Sequence, residues 1–253
     1  MRIIICEDKN DLGKQAAKTG AEKINNTIAK KGFANVAFVT GNSQIQTLKN
    51  LRDADIDWDK VNVFLLDEFI GITKNDKASS LVFLNDNLLK YLPSIGSIHP
   101  IESDSKKTEE TLKKLNEEMK NYPLDVVFIC IGENGHLAFN DPPADLYNTD
   151  SYIKVELEKR NKRQLMHEGW FKSVDDVPDQ AITMSVAEIL SSKSIIISCP
   201  DQRKAKAVAM TLYDDFSPMS PCAMVRRAED VSLFLDRQSS CLILKDNRQL
   251  SLK

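Results

Sequence analysis

Residues 124–132 read LDVVFICIG, an almost unbroken apolar run that ends at a glycine. A strand with one face in water alternates apolar and polar side chains, whereas this run is apolar at successive positions. Continuous apolar strands are typical of parallel sheets that are covered on both faces. The stretch therefore predicts a central strand of an α/β protein. The polar residues that follow it then lie at the edge of the sheet where such folds bind ligands.

Outward from this stretch, short β-rich runs alternate with longer helical patterns along the whole chain. The predicted strands are RIIIC (2–6), ANVAFVTG (34–41), KVNVFLLDEF (60–69), SIIISC (194–199), CAMVRR (222–227), VSLFLD (231–236) and CLIL (241–244). The predicted helices cover residues 11–31, 43–51, 79–92, 106–122, 184–192 and 203–213. This alternation predicts a mainly parallel sheet flanked by helices on both faces.

The domain organisation follows from what separates these elements. No Pro/Gly/Ser-rich linker divides the chain, so we expect a single domain over residues 1–253. Residues 145–178 are polar and weakly periodic, with HEGWF (167–171) near their centre. We expect this segment to form a flap over a site, the alternative being a surface excursion.

Composition narrows the classes of function. The chain has 253 residues, 42% of them hydrophobic and 28% charged, and a net charge of −3. This balance gives no reason to expect nucleic acid or a membrane surface as a partner. The five cysteines form no CxxC pair, and no apolar run approaches the ~20 residues of a membrane span. With no signal-peptide pattern, we expect a soluble, cytoplasmic protein without a metal site.

The first strand end with residues suited to ligand binding is VTGNSQ, residues 39–44. Gly41, Asn42 and Ser43 offer backbone N–H groups and a hydroxyl at the start of a helix, an arrangement that suits a phosphate. The alternative is an ordinary helix start, with Asn42 or Ser43 as the N-cap.

The second strand end is LLDEFIG, residues 65–71. Two carboxylates directly after a buried strand are costly unless they are paired or used. Asp67 and Glu68 point in opposite directions on an extended chain, so one can face a cleft while the other makes a structural contact. A base that abstracts a carbon-bound proton needs such a positioned carboxylate. A pair of salt-bridged residues is the alternative.

The third strand end, IGENGHLAFNDPP (131–143), carries the strongest signal. Gly132 and Gly135 permit a tight turn and the close approach of a ligand. His136 is a natural proton carrier near neutral pH, and Asp141 is held extended by the proline that follows it. A histidine with a nearby carboxylate is an acid/base arrangement, although a lone histidine in a loop is often structural.

Together these stretches resemble the glucosamine-6-phosphate deaminase (isomerase) family. The family pattern has a TG-small-polar phosphate loop, an MDE-aromatic-x-G strand end and a G-x-(D/N)-G-H-(I/L)-A-F-N-(E/D)-P loop. Here these are TGNSQ, LDEFIG and GENGHLAFNDPP, in the same order. VPDQAITMSVAEIL, SCPDQRKAKAV and VSLFLD resemble the downstream blocks, so the similarity covers nearly the whole chain. The related 6-phosphogluconolactonases favour Asp-Glu-Arg at the second strand end and lack the A-F-N-(E/D)-P continuation.

The resemblance implies a Rossmann-like fold and an amino-sugar 6-phosphate as substrate. His136 would open the pyranose ring, and Asp67 would then move a proton from C2 to C1. Asp141 occupies the position of a family glutamate that supports the histidine. Many members have an aspartate where this chain has Asn134, and an amide can hold the imidazole ring but cannot offset its charge. Asp141 is also one methylene shorter than glutamate.

The resemblance also implies a set of binding residues and no metal or organic cofactor. The phosphate would be held by the glycine loop and a downstream lysine, and a flap arginine would assist. The candidate substrate contacts are Gly41, Asn42, Ser43, Glu68, Gly135, Arg163 and Lys204.

Alternatives to glucosamine 6-phosphate deamination stay open at this stage. Galactosamine 6-phosphate would use the same residues. A 6-phosphogluconolactonase-like hydrolase would use His136 as a base for water and would not need Asp67. Asn134 alone favours a protein that binds a sugar phosphate but does not catalyse its conversion. Family members range from monomers to hexamers, so a homo-oligomer is compatible with the resemblance.

Overall fold

The computed structural model describes residues 1–73 and 75–245 of the chain. The strands are β1 (Arg2–Cys6), β2 (Ala34–Phe38), β3 (Val61–Leu65), β4 (Asp67–Phe69), β5 (Ser97–His99), β6 (Val126–Ile129), β7 (Tyr152–Glu156), β8 (Gln180–Met184), β9 (Ser194–Cys199) and β10 (Val231–Asp236). The α-helices are α1 (Lys9–Lys31), α2 (Ile45–Arg52), α3 (Ser80–Asn87), α4 (Thr108–Met119), α5 (Lys159–His167), α6 (Val186–Ser191), α7 (Ala205–Tyr213) and α8 (Cys241–Lys245). Short 3₁₀ segments are Asn42–Gln44, Trp58–Lys60, Leu89–Tyr91, Gln202–Lys204 and Pro221–Arg227.

The main sheet has seven strands in the order β1-β10-β9-β6-β2-β3-β5, and its neighbouring strands pair in parallel. Helices flank it, so the predicted α/β class with a mainly parallel sheet is confirmed. From β2 the chain continues outward to β3 and β5, whereas from β6 it continues in the opposite direction to β9 and β10. The neighbouring strands β2 and β6 therefore border the topological switch point, where open α/β sheets bind ligands.

A second sheet begins where β3 ends. Strands β4, β8 and β7 form an antiparallel three-stranded sheet in the order β4-β8-β7. The backbone N–H of Leu66 donates to Phe38 in the main sheet (3.1 Å), and its carbonyl accepts from the N–H of Met184 (2.7 Å). Residues 60–69 are thus not one strand as predicted, because the chain changes sheets at Leu66 directly before Asp67.

Two predicted strands near the end of the chain are wrong. Residues 222–227 belong to the 3₁₀ segment Pro221–Arg227, and residues 241–244 lie in α8. Short apolar runs are buried equally well as helix or strand, so their periodicity cannot separate the two. The segment 145–178 contains β7 and α5, and β7 is fixed to β8 by antiparallel pairing.

Helix α1 lies close against the main sheet. A side-chain Cβ at Gly20 would lie 2.3 Å from the ring of Phe128. That ring stacks in turn on Phe38, with centroids 4.9 Å apart. No helix in the described residues is long and apolar enough to cross a lipid bilayer.

Replacing Gly20 by alanine tests this close approach. Alanine gains up to ~1 kcal/mol of helix propensity, but overpacking a rigid core costs about 1–3 kcal/mol. We expect Gly20→Ala to lower the free energy of unfolding in urea, whereas Lys18→Ala on the exposed side of the same helix changes it little. An unchanged or raised value for Gly20→Ala would show that the helix does not touch the sheet at this point.

Candidate active site

A cleft of about 650 Å³, including its open mouth, lies at the carboxyl ends of the central strands. The strand ends and the segment after β7 both contribute to its walls. The lining residues are Val39, Thr40, Gly41, Asn42, Ser43, Asp67, Phe69, Ala78, Phe83, Cys130, His136, Ala138, Phe139, Asn161, Gln164, Leu165, Glu168, Trp170 and Lys204.

Asp67 is a buried acidic group that lines this cleft. It is only 2% exposed, and its Oδ1 accepts one hydrogen bond, from Ser80 Oγ at 3.2 Å. Burial, and secondarily the charge of Glu68, raise the pKa of Asp67 to about 7, and the Ser80 hydrogen bond offsets only part of this rise. Near neutral pH the carboxyl group is therefore able both to accept and to return a proton.

Glu68 makes structural contacts instead. Its carboxylate accepts from Ser79 Oγ (2.7 Å) and from the backbone N–H groups of Ser80 (3.0 Å) and Phe69 (2.9 Å). The bond from Ser80 satisfies a free N–H group at the start of α3. Burial raises the pKa of Glu68, and these donors oppose the rise. Glu68 does not line the cleft, so the two adjacent carboxylates have separate roles.

His136 lines the cleft, and the side-chain amide of Asn134 holds its ring in place. Its Nδ1 lies 2.6 Å from Asn134 Oδ1, and Asn134 Nδ2 donates to Asp141 Oδ1 at 2.9 Å. An amide turned the other way would face a carboxylate with its oxygen, so the network fixes the orientation of Asn134. Because an amide oxygen only accepts, Nδ1 carries the proton and Nε2 remains available to a ligand.

Asp141 anchors this network to the segment after β7. Its Oδ2 accepts from the N–H of Glu158 and from Asn161 Nδ2, each at 3.1 Å. Its Oδ1 lies 3.3 Å from His136 Nδ1. Burial alone would raise the pKa of Asp141, but the hydrogen bonds and charge of His136, with the amides of Asn134 and Asn161, lower it below its usual value. A negative charge therefore stands beside the imidazole although Asn134 is neutral.

The two glycines of this loop serve different needs. A Cβ at Gly132 would lie 2.1 Å from the His136 ring, so the imidazole rests directly on the Gly132 backbone. Gly135 has a φ of +87°, a conformation that favours glycine. Its carbonyl accepts from the N–H of Cys222 (3.0 Å), and the residue itself does not line the cleft.

The predicted phosphate loop lies at one end of the cleft. Gly41 has a φ of +112° and precedes a 3₁₀ turn that its carbonyl closes by accepting from the N–H of Gln44 (3.0 Å). The N–H groups of Asn42 and Ser43 have no acceptor within residues 1–73 and 75–245. Gly41, Asn42 and Ser43 all line the cleft, as a phosphate cradle requires.

Lys204 supplies a positive charge to the same cleft. It ends the 3₁₀ segment after β9 and is only 3% exposed. Its neighbour Arg203 pairs with Glu133, but Lys204 has no ion-pair partner in the described part of the chain. Because Lys204 lines the cleft, its ammonium is available there to an anionic ligand.

In the part of the cleft wall formed by the segment after β7, the structure differs from the prediction at one residue. Arg163 is exposed and does not line the cleft, whereas Asn161, Gln164, Leu165 and Glu168 do. These four positions follow the i, i+3, i+4, i+7 spacing of one helical face, and Arg163 lies on another face. The structure therefore does not bring Arg163 into the site. Helical periodicity over residues 159–168 was the signal that would have selected Gln164 and Glu168.

Edge-to-face ring contacts and a hydrogen bond join residues 168–171 to other walls of the cleft. Trp170 packs edge-on against Phe83 with centroids 5.5 Å apart, and Phe171 does the same against Phe69 at 5.4 Å. Asn42 Nδ2 donates to the carbonyl of Glu168 at 3.4 Å. The flap thus contacts both the second strand end and the phosphate loop.

A family model described as glucosamine-6-phosphate isomerases/6-phosphogluconolactonase matches residues 7–234. The chain belongs to this family. It is therefore an enzyme by family, and the match covers nearly its full length.

Named relatives agree with this membership. A glucosamine-6-phosphate deaminase of Streptococcus gordonii is 29% identical over 243 residues, covering 96% of this chain and 99% of the relative. One of Clostridium botulinum is 28% identical over 256 residues, covering 96% and 97%.

Solved structures show the same fold. A monomeric glucosamine-6-phosphate deaminase matches with a TM-score of 0.86 at 24% identity, covering 96% of this chain and all of that one (100%). A 6-phosphogluconolactonase from Shewanella baltica matches with a TM-score of 0.75 at 18% identity, covering 93% and 97%.

The raised pKa of Asp67 predicts a pH-dependent stability difference. The folded protein binds a proton at Asp67 more tightly than the unfolded chain, whose carboxyl titrates near 3.8, so stability is lost as the pH rises from about 4 to about 7. We expect Asp67→Asn to be more stable than the parent protein at pH 7.5, with a smaller difference at pH 4.5. A pKa displaced by one unit corresponds to about 1.4 kcal/mol, so the expected difference in unfolding free energy at pH 7.5 is on the order of a few kcal/mol.

Urea unfolding of both proteins at the two pH values measures this difference. Asp104→Asn, a substitution at an exposed loop carboxylate, controls for the general loss of a negative charge. A stability difference between Asp67→Asn and the parent that stays constant from pH 4.5 to 7.5 would contradict the raised pKa.

Proposed function

We propose that this protein is an amino-sugar-phosphate isomerase/deaminase that converts glucosamine 6-phosphate and water to fructose 6-phosphate and ammonia. The observation that carries the proposal is the presence of two proton-transfer groups, Asp67 and His136, in one cleft with the buried Lys204. The named relatives, which are glucosamine-6-phosphate deaminases, support the choice of substrate.

Binding would begin with the phosphate. The free N–H groups of Asn42 and Ser43 and the ammonium of Lys204 are the donors available at that end of the cleft. Their interaction with a phosphate dianion satisfies groups that are otherwise unpaired. The sugar ring would then extend toward Asp67 and His136, against the aromatic wall of Phe83 and Trp170.

Ring opening is the role of His136. Its Nε2 is unprotonated in the tautomer that Asn134 selects, so it can take the proton of the anomeric C1 hydroxyl and return a proton to the ring oxygen as the C1–O5 bond breaks. The Asp141 carboxylate, 3.3 Å from Nδ1, stabilises the imidazolium that forms in between. The product is the open-chain aldehyde.

Isomerisation is the role of Asp67. As a carboxylate it takes the proton from C2, which gives a 1,2-enolamine, and then delivers the proton to C1, which leaves an imine at C2. Water adds to the imine carbon, ammonia leaves, and the C2 carbonyl of fructose 6-phosphate remains. A pKa near 7 suits a group that must both remove and return a proton at neutral pH. No metal or organic cofactor takes part in these steps.

Lactone hydrolysis is the alternative that the fold keeps open, since 6-phosphogluconolactonases are among its structural neighbours. That reaction needs a base for water and an anion site but no second proton carrier beside the sugar carbon. Asp67 lies in the cleft with its pKa raised toward neutrality, and this position favours isomerisation.

The decisive assay measures ammonia release and the ketose phosphate formed from glucosamine 6-phosphate and galactosamine 6-phosphate in parallel. We expect turnover of glucosamine 6-phosphate, with a loss of 10³-fold or more (on the order of the effect of removing a proton-transfer group) in Asp67→Asn and in His136→Ala. Preference for galactosamine 6-phosphate, with tagatose 6-phosphate as product, would revise only the C4 configuration.

The same variants separate the alternatives. If the parent protein instead hydrolyses 6-phosphogluconolactone, and Asp67→Asn retains that activity, the isomerase proposal fails. If neither sugar is turned over while sugar phosphates raise the melting temperature, the protein is a binder and not a deaminase.

A further inference from the structure

One charged side chain of the cleft has no role in the proposed chemistry. The ionisable oxygen and nitrogen groups that line the cleft belong to Asp67, His136, Glu168 and Lys204. The first two move protons and the last binds an anion. Glu168 is half-buried and has no cationic partner within residues 1–73 and 75–245.

The Glu168 carboxylate is held in one orientation by neighbours that also line the cleft. Gln164 Nε2 donates to Oε1 at 2.8 Å, and Trp170 Nε1 lies 3.4 Å from Oε2. Gln164 Oε1 in turn accepts from the backbone N–H of Glu133 at 3.1 Å, which links this group to the loop that carries His136. Each carboxylate oxygen keeps lone pairs for a further donor, so the group is preorganised for a ligand.

The charge of Glu168 determines which ligand fits. Glu168 and Lys204 do not form an ion pair with each other, so each charge remains available. An anionic phosphate ligand gains from Lys204 but is opposed by Glu168. A zwitterionic ligand, with an ammonium and a phosphate, gains from both. Such electrostatic matching gives specificity between otherwise similar ligands.

We infer that Glu168 binds the protonated amino group of the substrate and thereby selects amino-sugar phosphates over sugar phosphates without an amine. The inference rests on the proposed function, because it concerns the same cleft and the same substrate class. It adds a specificity residue that the proton-transfer steps do not require.

The test compares two open-chain ligands that differ only at C2. Binding of 2-amino-2-deoxyglucitol 6-phosphate and of glucitol 6-phosphate is measured by calorimetry at pH 7 in the parent protein and in Glu168→Gln. We expect Glu168→Gln to weaken the amino ligand by about 10–100-fold, the range of a charge-assisted hydrogen bond. Glucitol 6-phosphate should bind Glu168→Gln as well as, or better than, it binds the parent protein.

Two further variants control the experiment. Asp175→Asn removes an exposed carboxylate from the same flap outside the cleft, and it should leave both affinities unchanged. Glu168→Asp keeps the charge and should retain most of the preference for the amino ligand. Unchanged binding of glucitol 6-phosphate by Glu168→Gln also shows that this variant is folded.

The outcomes separate this inference from the proposed function. If the parent protein deaminates glucosamine 6-phosphate but Glu168→Gln keeps the same ratio of affinities, the inference is overturned and the function stands. Equal weakening of both ligands also overturns it, because Glu168 would then only support the flap. If the parent protein binds neither ligand, the proposed function fails and the inference fails with it.

Discussion

The site depends on the burial of one carboxylate at the point where the chain passes from one sheet to the other. Leu66 bonds to the main sheet through its N–H and to the second sheet through its carbonyl, so the direction of Asp67 is fixed by backbone geometry. Asp67 then lies 2% exposed without a cationic partner in the described residues. This burial is costly for the folded protein, and the same cost brings the pKa of the carboxyl near neutrality.

On the histidine side of the cleft, in contrast, a carboxylate has to stay ionised beside the imidazole ring. Asp141 stays ionised because it accepts three hydrogen bonds, from Asn134, Glu158 and Asn161, and lies 3.3 Å from the His136 ring. The neutral Asn134 donates to this carboxylate through its amide nitrogen and accepts from the imidazole through its amide oxygen. The position of the carboxylate therefore orients the ring. An aspartate at position 134 would set a second carboxylate where the Asn134 amide now lies 2.9 Å from Asp141, and the two charges would repel each other. The neutral Asn134 and the ionised Asp141 are therefore mutually consistent.

The sequence predicted the parts of this arrangement that follow from local patterns. Apolar runs and glycines at strand ends predicted the parallel sheet, and parallel strands bring their carboxyl ends to one edge, which places Gly41, Asp67 and His136 in one cleft. The change of sheet at Leu66 was not predicted, because an apolar run continues through it. Arg163 was predicted to contact the substrate without knowledge of the helix face on which it lies. Adjacent positions on a helix point about 100° apart.

A crystal structure with 2-amino-2-deoxyglucitol 6-phosphate tests the central claim most directly. The account predicts the phosphate on the N–H groups of Asn42 and Ser43 and on Lys204, with C2 facing the Asp67 carboxylate and His136 Nε2 near the oxygen at C5. The ligand's ammonium would lie against Glu168. A phosphate bound away from Lys204, or a C2 atom out of reach of Asp67, would contradict the account of this cleft as an isomerase site.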